Sequence, residues 1–116
     1  MIDMNVEQIE QTVARHLQAL TQSIDAVLSN YTEASVLFTP NGPVRGLGEL
    51  KNFYETVLAS MPGLIEAVQI QRQDVNGDTA YVVWTAEPYF SLASDTFVIR
   101  DGKIMTQTFV GIMPSG

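Results

Sequence analysis

The segment SDTFVIRDGKIMTQTF, Ser94–Phe109, decides the fold. Side chains alternate between the two faces of a strand, so Asp95, Phe97 and Ile99 share one face and Thr96, Val98 and Arg100 the other. Asp101-Gly102 separates two such runs, Phe90–Arg100 and Lys103–Ile112, which is a hairpin signal. The same pattern occurs just upstream, where Ile65–Val75 and Thr79–Glu87 flank Asn76-Gly77-Asp78. Four long antiparallel strands are therefore expected. Asp95 is the odd residue in this pattern. It belongs either at a wet strand end or in an apolar cavity that shifts its pKa.

The N-terminal half is helical. Val6, Ile9, Val13, Leu17, Leu20 and Ile24 recur every three or four residues, an amphipathic helix. A break at Thr21–Ser23 is followed by a short second helix over Asp25–Tyr31, with Ser23 placed to cap it. Ser35–Thr39 is β-branched and aromatic and is stopped by Pro40, so it reads as a strand. Asn41-Gly42 supplies a turn, with a small strand at Val44. Leu50, Phe53, Tyr54, Val57, Leu58 and Met61 form one helical face, ended by Pro62-Gly63. Helices followed by a meander of strands predict an α+β fold, with the helices on one face of a curved sheet.

A chain of 116 residues is the size of one domain, and no repeat or linker divides residues 1–116. A chain of that length buries roughly two-thirds of its unfolded surface, enough for a core without staples. With no cysteine, disulfides, thiolate metal sites and cysteine nucleophiles are excluded. The first thirteen residues have no basic region and no continuous apolar run, so no signal peptide is expected, and no run approaches a membrane span. A net charge of −7 repels nucleic acid and anionic lipid. A cytoplasmic protein is the expectation. There is no Gly-rich phosphate loop, HExxH or GxSxG, and only one histidine, so neither a metal nor a cofactor is predicted. Carboxylates, one imidazole, tyrosines and amides suit proton transfer.

The opposite sheet face carries Thr96, Val98, Thr106, Thr108 and Val110, with little charge beyond Arg100. A solvated face carries more Lys and Glu, so a second copy of the chain is expected to cover it in a homodimer.

With this element order in place, ARHLQAL (residues 14–20), IDAVLSNYTEASVLFTPNGPVRGLGELKNFY (24–54) and DTFVIRDGKIMTQTF (95–109) resemble the NTF2-like superfamily, specifically its SnoaL-like branch. The resemblance implies a conical α+β fold in which a bent, mostly antiparallel sheet wraps a long helix around a central pocket. It also implies a range of functions, from ketosteroid isomerases, polyketide cyclases and epoxide hydrolases to non-enzymatic binding domains, so fold alone does not give function. By resemblance to the isomerases, His16 stands where a helix tyrosine donates to the oxyanion, and Tyr31 and Tyr54 stand for its supporting tyrosines. Asp95 stands for the protonated oxyanion-hole aspartate, whose raised pKa is one of the known examples of such tuning. The proton-abstracting aspartate is replaced by Thr39, and a hydroxyl is no carboxylate base, so by the resemblance Thr39 is expected as a substrate-contacting position of the pocket wall and not as the base. The late-strand acid/base aspartate of the cyclases finds its nearest inward position in Gln107.

Each candidate has a plainer reading. Asp95 is either a solvated strand-start carboxylate or a desolvated one with a raised pKa. His16 is either a partly exposed helix residue without a role, or it faces Asp95 across the pocket, each fixing the other's protonation. Tyr54 is either core packing or a donor to His16, and Tyr31 reads as structural. Gln107 is the one amide of the cavity, while Trp84, Phe38, Phe53, Phe97 and Phe109 form its wall. Two functions follow. One is a cofactor-free acid/base enzyme of isomerase, cyclase or hydrolase type on a hydrophobic polyketide-, terpenoid- or steroid-like molecule, with Asp95 and His16 carrying the proton transfers and Tyr31 and Tyr54 organising them against the substrate. The other is a non-catalytic ligand-binding or dimerisation module.

Overall fold

The computed structural model describes residues 5–114; residues 1–4, where the N-terminal stretch begins, and 115–116, which close the tail, lie outside it. The chain starts with α1 (Val6–Ala19). Asn5 caps it by accepting from the Gln8 amide, and the Gln8 side chain caps the Asn5 amide in return, so two orphan donors are satisfied. Its buried stripe is Ile9, Thr12, Val13, His16 and Ala19, the spacing that period 3.6 dictates. Ser23 caps α2 (Ile24–Leu28) through the Ala26 amide, as its position in the sequence suggests.

Here the first expectation is corrected. The second helix stops at Leu28, and Tyr31 opens β1 (Tyr31–Thr39) instead of closing a helix. The cause is long-range: the backbone carbonyl of Asn30 accepts from Ile104, and Tyr31 pairs with Ile104 in parallel. A register irregularity between Tyr31 and Val36 spoils the alternation there, which hides the strand's first half from a local reading.

β2 (Gly42–Arg45) returns against β1, and α3 (Gly46–Ser60) follows. A second correction falls after α3. Leu64–Ala67 forms a short helix, α4, where a strand is expected from Ile65. Gly63, at φ 80°, turns the chain into it, a left-handed conformation that glycine adopts without strain. β3 (Gln69–Asn76), β4 (Thr79–Ala86), β5 (Phe90–Arg100) and β6 (Lys103–Ile112) then run as two hairpins.

The six strands order as β2-β1-β6-β5-β4-β3, antiparallel throughout except for the parallel β1–β6 pair. Irregularities in four of the five ladders bend the sheet around the helices. α1 packs on β3, β4 and β5, and α3 on β1 and β2. The α+β architecture, with a mostly antiparallel curved sheet, agrees with the expectation.

The core lies between helices and sheet. Ile9, Val27, Leu50, Ile99 and Ile104 are fully buried, each stabilising the fold by about 1.5–3 kcal/mol. A smaller cluster of Leu64, Ala86, Phe90 and Ala93 closes the far end. Between the two, the inner face of the sheet is not filled.

Candidate functional site

The unfilled space is a cavity of about 410 Å³. One side is helical: Val13, His16 and Leu17 of α1, Phe53, Tyr54, Val57 and Leu58 of α3, and Leu64 and Ile65 of α4. The other side is the sheet, with Leu37, Ile70, Val82, Trp84, Phe90, Asp95, Phe97, Gln107 and Phe109. Most of the lining is apolar, and the few polar groups converge.

Asp95 is 9% exposed and holds two hydrogen bonds. Trp84 Nε1 donates to its Oδ1 across 2.9 Å, and Gln107 Nε2 to its Oδ2 across 2.7 Å. Strand register explains both. Asp95 lies opposite Val82 on β4 and Phe109 on β6, so Trp84 and Gln107 are its diagonal neighbours on the same face. Burial pushes the Asp95 carboxyl up to about 6, although the Trp84 and Gln107 donors pull it down. Of the two readings of Asp95, the desolvated one is the observed one.

Behind Gln107 the network continues. Tyr31 donates its hydroxyl to Gln107 Oε1, and the Tyr31 and Tyr54 hydroxyls are 2.6 Å apart. A tyrosine has one proton to give, so Tyr54 donates to Tyr31. The chain Tyr54–Tyr31–Gln107–Asp95 thus points every proton toward the carboxylate. Burial holds both tyrosine hydroxyls protonated well above their ordinary range.

His16 is 2% exposed, with its ring edge-on to Phe97, Tyr31 and Tyr54 at 5.5, 5.7 and 6.1 Å. Its Nδ1 is sealed and has no partner. Burial lowers its pKa to about 4, with no carboxylate among the causes. The expected His16–Asp95 pair is therefore corrected. No hydrogen bond or ion pair joins them among the described residues, because Asp95 spends its acceptors on Trp84 and Gln107. Tyr54 likewise bonds to Tyr31 and not to His16.

Phe53, Phe97, Phe109, Trp84 and Gln107 all line the cavity. Tyr31 stands behind the wall, its ring against His16 and its hydroxyl on Tyr54 and Gln107. Phe38 is a correction: it is 47% exposed on the outer face, because Leu37, paired with Gln107, takes the inward position and alternation turns Phe38 out. Thr39 is another. Its hydroxyl donates to the Gly42 carbonyl across 2.8 Å and accepts from the Asn41 amide, so it builds the turn and not the wall.

The sequence reading missed the aliphatic floor, above all Leu64, Ile65 and Ile70. It also missed Phe90, which packs on Trp84 and Phe109 at 5.5 and 5.6 Å. The signal available was the apolar face of Val57 and Leu58 on α3, continued by Met61 at its C-cap, which lines the same cavity. No group of three His, Cys, Asp or Glu side chains suited to a metal occurs among the described residues.

A family model described as a SnoaL-like domain matches residues 13–107. No curated protein matches the chain. Among solved structures, a SnoaL-like protein of unknown function from Burkholderia thailandensis is similar at a TM-score of 0.80 and 16% identity, over 94% of this chain and 98% of its own. TerC, co-crystallised with polyporic acid, gives a TM-score of 0.76 at 15% identity, over 90% and 92% of the two chains. A proposed polyketide cyclase from Sinorhizobium meliloti gives 0.71 at 17%, over 86% and 94%. Likeness at such identities is likeness of fold.

Proposed function

The chain belongs to the SnoaL-like domain family, and from that premise we propose that it binds a hydrophobic small molecule in its cavity and handles one proton there through Asp95. The reaction class is cofactor-free acid/base chemistry of isomerase, cyclase or hydrolase type on a polyketide-, terpenoid- or steroid-like compound. One observation carries this reading: a desolvated carboxyl on the wall of a largely apolar cavity. A pKa of about 6 makes Asp95 a base at neutral pH and lets it return the proton readily. Trp84 and Gln107 hold it in place, as an acid/base group requires. The fold neighbours named for a polyketide cyclase and for polyporic acid support this substrate class.

A second reading has its own support. Both Asp95 oxygens already have donors inside the protein, as in a satisfied structural cluster of a binding module without chemistry. The two separate in a screen of hydrophobic ketones, lactones and epoxides against wild type and Asp95→Asn. Turnover in wild type that is lost in the variant, with ligand binding retained, supports the enzyme. Binding without turnover in both supports the module. No binding at all sinks both.

The exposed outer sheet face supports a homodimer. Val110 and Ile112 are 54% and 59% exposed, and Phe38, Tyr81 and Leu92 lie on the same surface.

A further inference from the structure

Asp95 is the one carboxyl on the cavity wall, and no Lys or Arg lines the space around it. The other titratable groups there are His16 on α1, Tyr54 on α3 and, behind the wall, Tyr31 on β1. Burial keeps all three uncharged at neutral pH. The parts of α4, β3, β4 and β6 that reach the cavity carry no charged side chain. Asp95 itself titrates at about 6 and is mostly ionised at neutral pH.

A buried charge is normally paired, yet no ion pair reaches Asp95 among the described residues. Its two hydrogen bonds come from neutral groups and take one lone-pair site on each oxygen. An ionised carboxylate offers about four such sites. The remaining ones have no partner among the described residues, and the side chain lines the cavity.

The neighbours of the carboxylate are aromatic. Phe109 stands directly opposite it on β6, and Trp84 on the diagonal on β4. The two rings stack at 26° with centroids 6.1 Å apart, and Phe90 meets both edge-on. Aromatic faces attract a cation over about 6 Å. An ammonium entering here would lose its water, but Asp95 lost most of its own in folding, so the pair costs only one of the two desolvations. A carboxylate guest would meet like charge. A neutral guest would shut out the remaining water and leave the Asp95 charge unanswered.

We infer that the cavity takes an organic cation: a hydrophobic molecule whose protonated amine pairs with Asp95 beside the rings of Trp84 and Phe109. The inference rests on the cavity being a ligand site, which both readings above share, and it adds the charge of the ligand. It holds whether or not the bound amine is turned over.

Two probes of equal shape separate charge from apolar burial. One is 1-(2-naphthyl)ethylamine, an ammonium at neutral pH; the other is 2-isopropylnaphthalene, with a methyl group in place of the nitrogen. A third, 2-naphthoate, supplies the opposite charge. In NMR titrations at neutral pH the amine should bind about tenfold or more tighter than the hydrocarbon, the scale of a desolvated charge pair. Naphthoate should bind most weakly. The sign of the linkage gives a second readout on wild type. The amine should lower the Asp95 pKa from its free value of about 6, followed by the carboxyl 13C shift, whereas the hydrocarbon should raise it. Asp95→Asn should abolish the preference for the amine and leave hydrocarbon binding in place. Hydrocarbon or naphthoate binding as tight as the amine, or an Asp95 pKa that the amine leaves unmoved or raises, overturns the inference while the ligand site stands. A preference that survives Asp95→Asn also overturns it, by placing the amine on the acidic surface. Failure of all three probes to bind overturns the ligand site itself, and the inference with it. The pKa shift is read on wild type, so an unstable variant does not block the test.

Discussion

Gln107 lies diagonally across the β5–β6 ladder from Asp95, its Nε2 donating to Oδ2 over 2.7 Å, while its Oε1 accepts from Tyr31. One amide therefore joins the carboxyl to the paired tyrosines, and both of its ends are used. Replacing it with Leu leaves a buried carboxyl and a buried hydroxyl short of partners. Gln107→Leu should cost about 1–3 kcal/mol in denaturant unfolding. It should also raise the Asp95 pKa further, because a donor to the charged form is lost. A neutral effect on both would mean that the network is ornamental.

Stability against pH tests Asp95 and His16 together. Asp95 has a folded pKa of about 6 against 3.8 unfolded, so the native state binds more protons in that window and stability falls as pH rises through it. His16 has about 4 against 6.5, so the unfolded state binds more protons and stability rises with pH across that range. The two slopes oppose one another between pH 4 and 6 and should nearly cancel. Asp95→Asn should expose the rising limb and His16→Phe the falling one, each by up to about 1.4 kcal/mol per pH unit. Chemical denaturation at several pH values measures this. Variants whose pH profiles parallel wild type would place both groups in water.

Trp84 is the only tryptophan, and its N–H touches the titrating carboxyl. Its emission should therefore show an inflection near the Asp95 pKa of about 6, absent in Asp95→Asn. Trp84→Phe keeps a ring beside Phe109 but removes the donor, so the Asp95 pKa should rise above the wild-type value by NMR. A drop would reverse the assigned role of this bond.

Gly111 allows Phe90 to lie across β6. A Cβ built there sits 2.6 Å from Phe90 Cδ1 and 3.1 Å from Phe109 Cζ. Gly111→Ala should cost about 1–3 kcal/mol by overpacking. Adding Phe90→Leu should recover part of that, a coupling that a double-mutant cycle detects. Strict additivity would mean that Gly111 does not make room for Phe90.

The outer face makes a separate prediction. Ultracentrifugation of wild type should give a dimer, and Val110→Glu, which puts a charge at the centre of the exposed β5–β6 surface, should give a monomer of unchanged fold. A wild-type monomer at high concentration ends the homodimer reading.

Much of this was legible in the sequence. The two hairpins were marked by Asn76-Gly77-Asp78 and Asp101-Gly102, the helix start by Ser23, and the sharing of a face by Asp95, Phe97 and Ile99. What failed did so for a stated cause. Tyr31 was drawn into a parallel pairing with Ile104, and Leu64–Ala67 formed a helical turn too short to show a period. Phe38 was turned outward by a one-residue question of register that its own strand could not answer.

The sequence by itself determined the two hairpins and which residues of β5 share a face, because turn chemistry and period-two alternation are local properties of the chain. Only the tertiary structure decided the partners of Asp95, the isolation of His16 and the existence of the cavity. Those depend on how far α1 and α3 stand off the curved sheet, a distance set by packing between segments remote in sequence, and no local pattern encodes it.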